Sequence, residues 1–166
     1  LIPTNIPPHK RYREETTPRQ RWEMCGLAVA GHPKLEVSDM EIRRQGPSYT
    51  VDTLCQMHAK YPAAELYLIT GADMFLTIQD WKCAQDIFRM AVICGVPRER
   101  EGLYALKKQA VFLNSRYNAQ TAILEFPLMD ISSTQIRNWL KTGQSIKEWV
   151  PESVERYIRQ HGLYQD

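Results

Sequence analysis

Three short apolar runs, separated by stretches of helical period, constrain this chain more than any other feature. Residues 65–70 (ELYLIT), 91–96 (AVICGV) and 122–126 (AILEF) are too continuously apolar for strands with one wet face. Such runs suit strands of a parallel sheet buried on both sides, with ELYLIT fit for a central position. Between them lie a predicted helix around residues 84–90 and a weakly amphipathic one over 103–117. Strands alternating with helices imply βαβ units, and so an α/β chain with a helix-covered parallel sheet. Ligands on such sheets bind beyond the carboxyl ends of the strands. The segments that follow each strand are therefore where chemistry is expected.

Further elements follow from local signals. Thr17-Pro18-Arg19-Gln20 supplies an N-cap, a proline at the first helical position and a glutamine at the third, a capping box. The helix it opens carries Trp22, Cys25, Ala28 and Val29 and stops before Gly31. Residues 34–43 alternate as a strand would, Leu35, Val37 and Ile42 inward against Glu36, Ser38 and Arg43. Val51, Leu54, Cys55 and His58 mark one face of a helix running to Lys60. Ile131-Ser132-Ser133-Thr134 caps a helix through Leu140 that stops at Gly143, and Pro151 opens a last helix ending at Gly162. Residues 3–18 hold four of the ten prolines and a dense charge cluster, and are expected to form a mobile loop, with a lid role left open for 9–18. The chain opens on Leu1-Ile2-Pro3, which reads as the tail of a buried strand, so a segment upstream of it is expected.

Composition excludes several classes. Hydrophobic residues at 43% and charged residues at 24% are ordinary globular usage. Mean hydropathy is −0.44, and no apolar run approaches the roughly 20 residues that span a bilayer. A net charge of +2 gives no electrostatic case for nucleic acid or a membrane surface. The four cysteines at 25, 55, 83 and 94 form no CxxC pair, and the four histidines form no HxxxH or HxH. Neither set reads as a metal site. Buried, reduced thiols in a cytoplasmic protein are expected instead.

Four segments could carry chemistry. Residues 3–10 (PTNIPPHK) place Asn5 and Lys10 after a strand, either as ligand groups or as a stiff proline turn with solvated charges. Residues 46–53 (GPSYTVDT) open a helix, whose free N–H groups suit a carboxylate or phosphate, or which Ser48 or Thr50 simply caps. Gly71-Ala72-Asp73 with Trp81 offers close backbone approach, a carboxylate for a ribose hydroxyl and a flat ring, or else a turn and a core tryptophan. In residues 131–137 (ISSTQIR), hydroxyls at a helix start stand on the side of Arg137, one turn in. That pattern suits a polyphosphate, with a cap and a surface arginine as the alternative.

These segments, with QRWEM at 20–24, VSDMEIRRQGPSYTVDTL at 37–54, ELYLITGADMF at 65–75 and VPESVERYIRQHGLY at 150–164, occur in one order along the chain. In that order the chain resembles the bacterial nicotinate-mononucleotide adenylyltransferases nearly end to end, thinning across about residues 98–121. The combination of SYTxDTL with ISSTxxR is specific. The resemblance implies a Rossmann-like, three-layer nucleotidyltransferase fold in a single domain over residues 1–166, with the C-terminal helices of 133–166 packed on it. It implies transfer of AMP from ATP to nicotinate mononucleotide, with Mg2+, giving deamido-NAD and pyrophosphate. It assigns Asn5, His9 and Lys10 to the mononucleotide, Ser48, Tyr49 and Thr50 to the nicotinate, and Trp81 to stacking on the pyridine. The amide of Lys82 would meet the carboxylate. Gly71 and Asp73 fall at the adenosine side, and Ile131, Ser132, Ser133 and Arg137 in the ATP motif. Self-association is compatible with the family.

Four departures accompany the resemblance. The family's GGTFDPxHxGH phosphate segment, its first βα unit, does not occur in the sequence, so the catalytic histidines are not assigned here. Gln20 stands where the family usually has histidine, Lys82 where tyrosine is common, and Val96-Pro97-Arg98-Glu99-Arg100 lacks the second proline of a VPRPG turn. Two alternatives stay open. One is an adenylyltransferase of the same superfamily with another acceptor, nicotinamide mononucleotide or, less compatibly with Trp81, phosphopantetheine. The other is a non-catalytic nucleotide-binding module.

Overall fold

The computed structural model of the chain describes residues 1–8, 15–97, 102–125 and 131–165. In chain order the elements are α1 (Pro18–Val29), α2 (Met40–Arg43), α3 (Thr50–Lys60), β1 (Leu66–Gly71), α4 (Ala72–Phe75), a 3₁₀ turn (Ile78–Asp80), α5 (Ala84–Met90), β2 (Ala91–Val96), α6 (Gly102–Tyr117), β3 (Thr121–Ile123), α7 (Ser133–Lys141) and α8 (Glu152–Gln160). They fall into two compact units, one of residues 49–130 and one combining residues 1–48 with 131–166.

The unit of residues 49–130 carries the sheet. Its three strands are parallel in the order β1-β2-β3, with Leu66 opposite Ala91, Gly71 opposite Val96, and Gly95 opposite Ile123. The expected βαβ pattern is therefore present, but β2 rather than β1 is the middle strand of the three. Leu66 and Leu68 of β1 pack on the core, whereas Tyr67 and Ile69 point to the other side and are 58% and 67% exposed. An apolar run thus conceals an alternating burial. The core beneath is built from Val51 and Leu54 of α3, Phe75 of α4, Ile78, Ile87 of α5, Ile93 of β2, and Leu106 and Leu113 of α6. The buried face of α3 is Val51, Thr53 and Leu54, while Cys55 and His58, expected inward, are exposed. Packing of α3 on α5 rotates it away from the face that hydropathy alone suggests.

In the second unit, both capping boxes form as the sequence predicts. Thr17 Oγ1 accepts from the Gln20 amide at 3.2 Å, and Gln20 Oε1 accepts from the Thr17 amide at 2.8 Å. Ser132 and Gln135 repeat the exchange at the start of α7, at 3.2 and 2.7 Å. The strand expected over 34–43 does not form. Leu35 is 52% exposed, and the chain instead turns into α2, held by the Arg43 amide on the Asp39 carbonyl and by an Arg43–Asp39 ion pair at 2.7 Å. Alternation makes a strand only where another strand can share a ladder, and here the Ser38 amide donates to the Leu1 carbonyl at 2.9 Å and the Leu1 amine to the Glu36 carbonyl, with no ladder beyond them among the described residues. Leu1 is 58% exposed and lies beside this segment through those two bonds. The cysteines also depart from expectation, because Cys55 and Cys83 are exposed. Cys94 is buried, and burial pushes its thiol above the ordinary range.

The helical core of this unit gathers Leu140, Ile146, Val154, Ile158 and Leu163. At its edge Glu155 of α8 is buried and accepts from Arg159 Nη2 at 2.8 Å, from Ser145 Oγ at 3.1 Å and from the Ile146 amide at 3.2 Å. The Arg159 guanidinium foremost, and then these two further donors, hold its carboxyl below the usual carboxylate range. A carboxyl lowered on folding stabilises the fold above its unfolded pKa, about 4.3, and loses that contribution as pH falls through the folded value. Glu155→Gln is expected to cost about 1–2 kcal/mol at pH 7. Urea unfolding at pH 7 and again near pH 3 checks this, the gap to the wild type narrowing in acid; an equal gap at both pH values would refute the assignment.

Candidate active site

Asn5 and Ser48 meet through the backbone. Gly46, at φ +87°, turns the chain so that Pro47 bridges Ile6 in parallel fashion and the Ser48 amide donates to the Ile6 carbonyl at 2.9 Å. The left-handed φ is what a glycine supplies at low cost. Ser48 Oγ then accepts from the Asn5 amide at 3.1 Å, and Asn5 Nδ2 donates to the Arg44 carbonyl at 3.2 Å. Arg21 of α1 fastens the same strand of chain. Its Nη2 donates to the carbonyls of Thr4 at 2.6 Å and Asn5 at 3.2 Å, and its Nη1 to that of Thr16 at 2.9 Å. Sequence reasoning had no role for Arg21; its place just behind the capping box of α1, facing back along the incoming chain, was the available signal. His9 and Lys10 lie outside the described residues, as do the other residues of 9–14 and Arg98-Glu99-Arg100.

Ser48 is thus spent on Asn5 and does not cap α3. Tyr49 is the N-cap residue, with extended backbone and no side-chain cap bond. Thr50 is the first helical residue, so neither expected cap forms, and the Asp52 and Thr53 amides turn back to the Tyr49 carbonyl at 3.1 and 3.3 Å. On the same unit, the chain after the 3₁₀ turn runs Trp81-Lys82-Cys83 into α5. Trp81 is half-buried against the core, with its amide on the Ile78 carbonyl at 3.1 Å. Lys82 is exposed, and its Nζ stands 4.0 Å from the centre of the Tyr49 ring. The structure therefore brings Tyr49, Thr50 and Lys82 to one place at the head of α3.

Gly71 ends β1 and caps α4, and a Cβ built there meets nothing within 4 Å. Its surface is open to a close-approaching group. Asp73 is exposed on α4, and its carbonyl accepts from Thr77 Oγ1 at 3.1 Å. Below it Phe75 is fully buried and lies on Gly95 of β2, where an added Cβ would come within 2.9 Å of Phe75 Cδ2. Gly95 thus sets the depth of α4. On the other unit, Ile131 and Ser132 lead into α7 with Ser133 at its first position. The Ser132 hydroxyl is engaged by the Gln135 amide, so the cap expected there forms with it. Ser133 is exposed, and Arg137 is half-buried with its guanidinium carbon 5.2 Å from the centre of the Tyr164 ring. Among the described residues no group of three or more His, Cys, Asp or Glu side chains could hold a metal ion, and no helix is long and apolar enough to cross a membrane.

Comparison with known proteins adds to this geometry. The profile of the cytidylyltransferase-like family matches residues 1–139. A Desulfitobacterium hafniense (strain Y51) protein named "Probable nicotinate-nucleotide adenylyltransferase" is 43% identical over 99% of this chain and 79% of its own length. A protein of the same name from Moorella thermoacetica is 39% identical over 99% of this chain and 76% of its own. Among solved structures, Plasmodium falciparum nicotinic acid mononucleotide adenylyltransferase complexed with NaAD matches with a TM-score of 0.72, at 16% identity, over 98% of this chain and 80% of that one. At that identity the likeness concerns the fold, and it agrees with the α/β nucleotidyltransferase architecture expected from the sequence.

Proposed function

The chain belongs to the cytidylyltransferase-like family, and within it to the nicotinate-nucleotide adenylyltransferases; from that premise we propose that it transfers the adenylyl group of ATP to nicotinate mononucleotide in NAD biosynthesis. The observation that carries the proposal is the 43% identity to a relative of that name across 99% of the chain. In the reaction a phosphate oxygen of the mononucleotide attacks the α-phosphorus of ATP. The new P–O bond forms as the bond to the β-phosphate bridge breaks, releasing pyrophosphate and deamido-NAD. No side chain needs to act as a covalent nucleophile, so the work is positioning and charge stabilisation. Asn5, His9 and Lys10 are assigned to the mononucleotide, Ser48, Tyr49 and Thr50 to its nicotinate end, with Trp81 stacking on the pyridine and the Lys82 amide on the carboxylate. The head of α3, with its positive dipole end and no side-chain cap from Tyr49, supports this reading, because it favours an anion over a neutral carboxamide. Gly71 and Asp73 are assigned to the adenosine of ATP, and Ile131, Ser132, Ser133 and Arg137 to its phosphates. Mg2+ is assigned to the reaction as the magnesium complex of ATP, held by the phosphates. The proposal places the protein in the cytoplasm.

Pyrophosphate release from ATP and Mg2+ tests it, with nicotinate mononucleotide and nicotinamide mononucleotide assayed side by side. Release that is at least tenfold faster with the nicotinate form is expected. Equal rates would refute the stated acceptor, and no release with either would refute the enzymatic reading of this chain.

A further inference from the structure

The loop that joins the 3₁₀ turn to α5 is shaped by one unusual residue. Cys83 sits in the left-handed region at φ 53°, ψ 44°, although it has a Cβ. Such backbone is costly and concentrates at ligand clamps and other functional sites. Trp81 before it is extended, at φ −75° and ψ 154°, so the chain reverses direction over these residues. The tryptophan packs inward on the core while the next side chain projects outward. That next side chain is Lys82, and it does not extend freely. Its ammonium lies 4.0 Å from the centre of the Tyr49 ring, and Tyr49 is the residue that leads into α3. Among the described residues Lys82 forms no ion pair with a carboxylate. A ring face occupies one side of an ammonium group and leaves further N–H donors free.

We infer that the Lys82 ammonium reads the negative charge of the pyridine carboxylate and sets the preference for nicotinate over nicotinamide mononucleotide. The inference rests on the function proposed above, which puts the pyridine ring at Trp81 and Tyr49. It goes beyond that reading by moving discrimination from a backbone amide to a side-chain cation. A backbone N–H donates to a carboxylate or to a carboxamide oxygen, and its preference for the anion is smaller than that of a full charge. A full positive charge beside that N–H distinguishes the two, because its attraction to a carboxylate is Coulombic and has no counterpart for a neutral amide. The Tyr49 ring holds the cation in place, so less side-chain freedom is lost when the substrate arrives. The mononucleotide also carries a phosphate, which could draw the same lysine, and the two acceptors differ only at the pyridine substituent. They therefore separate the two sources of charge.

Calorimetric titration of the full chain with nicotinate mononucleotide and with nicotinamide mononucleotide tests the inference, using the wild type, Lys82→Met and Lys82→Arg. The wild type is expected to prefer the nicotinate form. In Lys82→Met that preference falls about tenfold, a difference of about 1.4 kcal/mol, with the loss borne by the nicotinate form. Lys82→Arg retains most of the preference, since a guanidinium also stacks on a tyrosine and carries the charge. Raising salt weakens nicotinate binding to the wild type more steeply than to Lys82→Met. An unchanged preference in Lys82→Met overturns the inference and leaves the proposed function standing. Equal losses on both mononucleotides place Lys82 at the shared phosphate and overturn it as well. A wild type without any preference overturns the proposed acceptor itself.

Discussion

Gly95→Val is expected to lower stability by about 3 kcal/mol, near the upper end for overpacking a filled core. For a chain of this size that corresponds to a fall in Tm of roughly 6–12 °C. The cause is local and specific. Even a single Cβ at this position would stand 2.9 Å from Phe75 Cδ2, 3.0 Å from Phe75 Cγ and 3.2 Å from Ile123 Cδ1. Phe75 is fully buried and cannot swing into solvent. It yields only by lifting α4 off β2, which also displaces Asp73 two residues earlier. Thermal unfolding followed by circular dichroism measures the first effect. A double-mutant cycle of Gly95→Ala with Phe75→Leu separates mechanism from accident: if Phe75 is the obstacle, the pair is less damaging than the sum of the two single changes. Strict additivity would show that the strain is relieved elsewhere.

Arg137→Met is expected to cut kcat/KM for ATP by about 10²–10³-fold, the size usual for deleting one group that stabilises developing negative charge. The fold should barely register the change. Arg137 is half-buried on α7, and its only described ring partner is Tyr164, at 5.2 Å, a contact worth about 0.5–1 kcal/mol. Activity and stability thus separate, which a merely structural arginine would not allow. Arg137→Lys should rescue the rate only in part, because lysine brings a point charge and not a planar fork for phosphate oxygens. Wild-type turnover in Arg137→Met would remove this arginine, and with it the reading of residues 131–137, from the ATP side.

Much of this fold was legible because its signals are local. The two capping boxes, Thr17 with Gln20 and Ser132 with Gln135, are complete within four residues and form as written. The runs at 66–71 and 91–96 become strands because β-branched and aromatic residues suit extended backbone and the two runs can pair with each other in parallel. The misreadings all concern partners that lie far along the chain. Alternation over 34–43 could not reveal that among the described residues no strand pairs with it. The face of α3 could not be read without α5, and the exposed side of β1 could not be read without knowing which elements pack on its other face. The candidate site divides in the same way. Motif residues such as Asn5, Ser48, Gly71 and Arg137 were visible as residues. The bond that takes Ser48 away from α3, the Tyr49–Lys82 pairing and the support of Phe75 on Gly95 depend on distant pieces of chain and had no sequence signature.

The reach of Arg21 has a consequence for how this part of the chain can change. One guanidinium holds the carbonyls of Thr4 and Asn5 on one side and that of Thr16 on the other. The two ends of the intervening segment are therefore tethered to a single side chain whatever lies between them. Lengthening a tethered segment adds little, since each doubling costs only about 0.6 kcal/mol in closure entropy. A change of spacing between those anchors is therefore absorbed by the segment itself, while Asn5 and the start of α1 stay tied to one side chain.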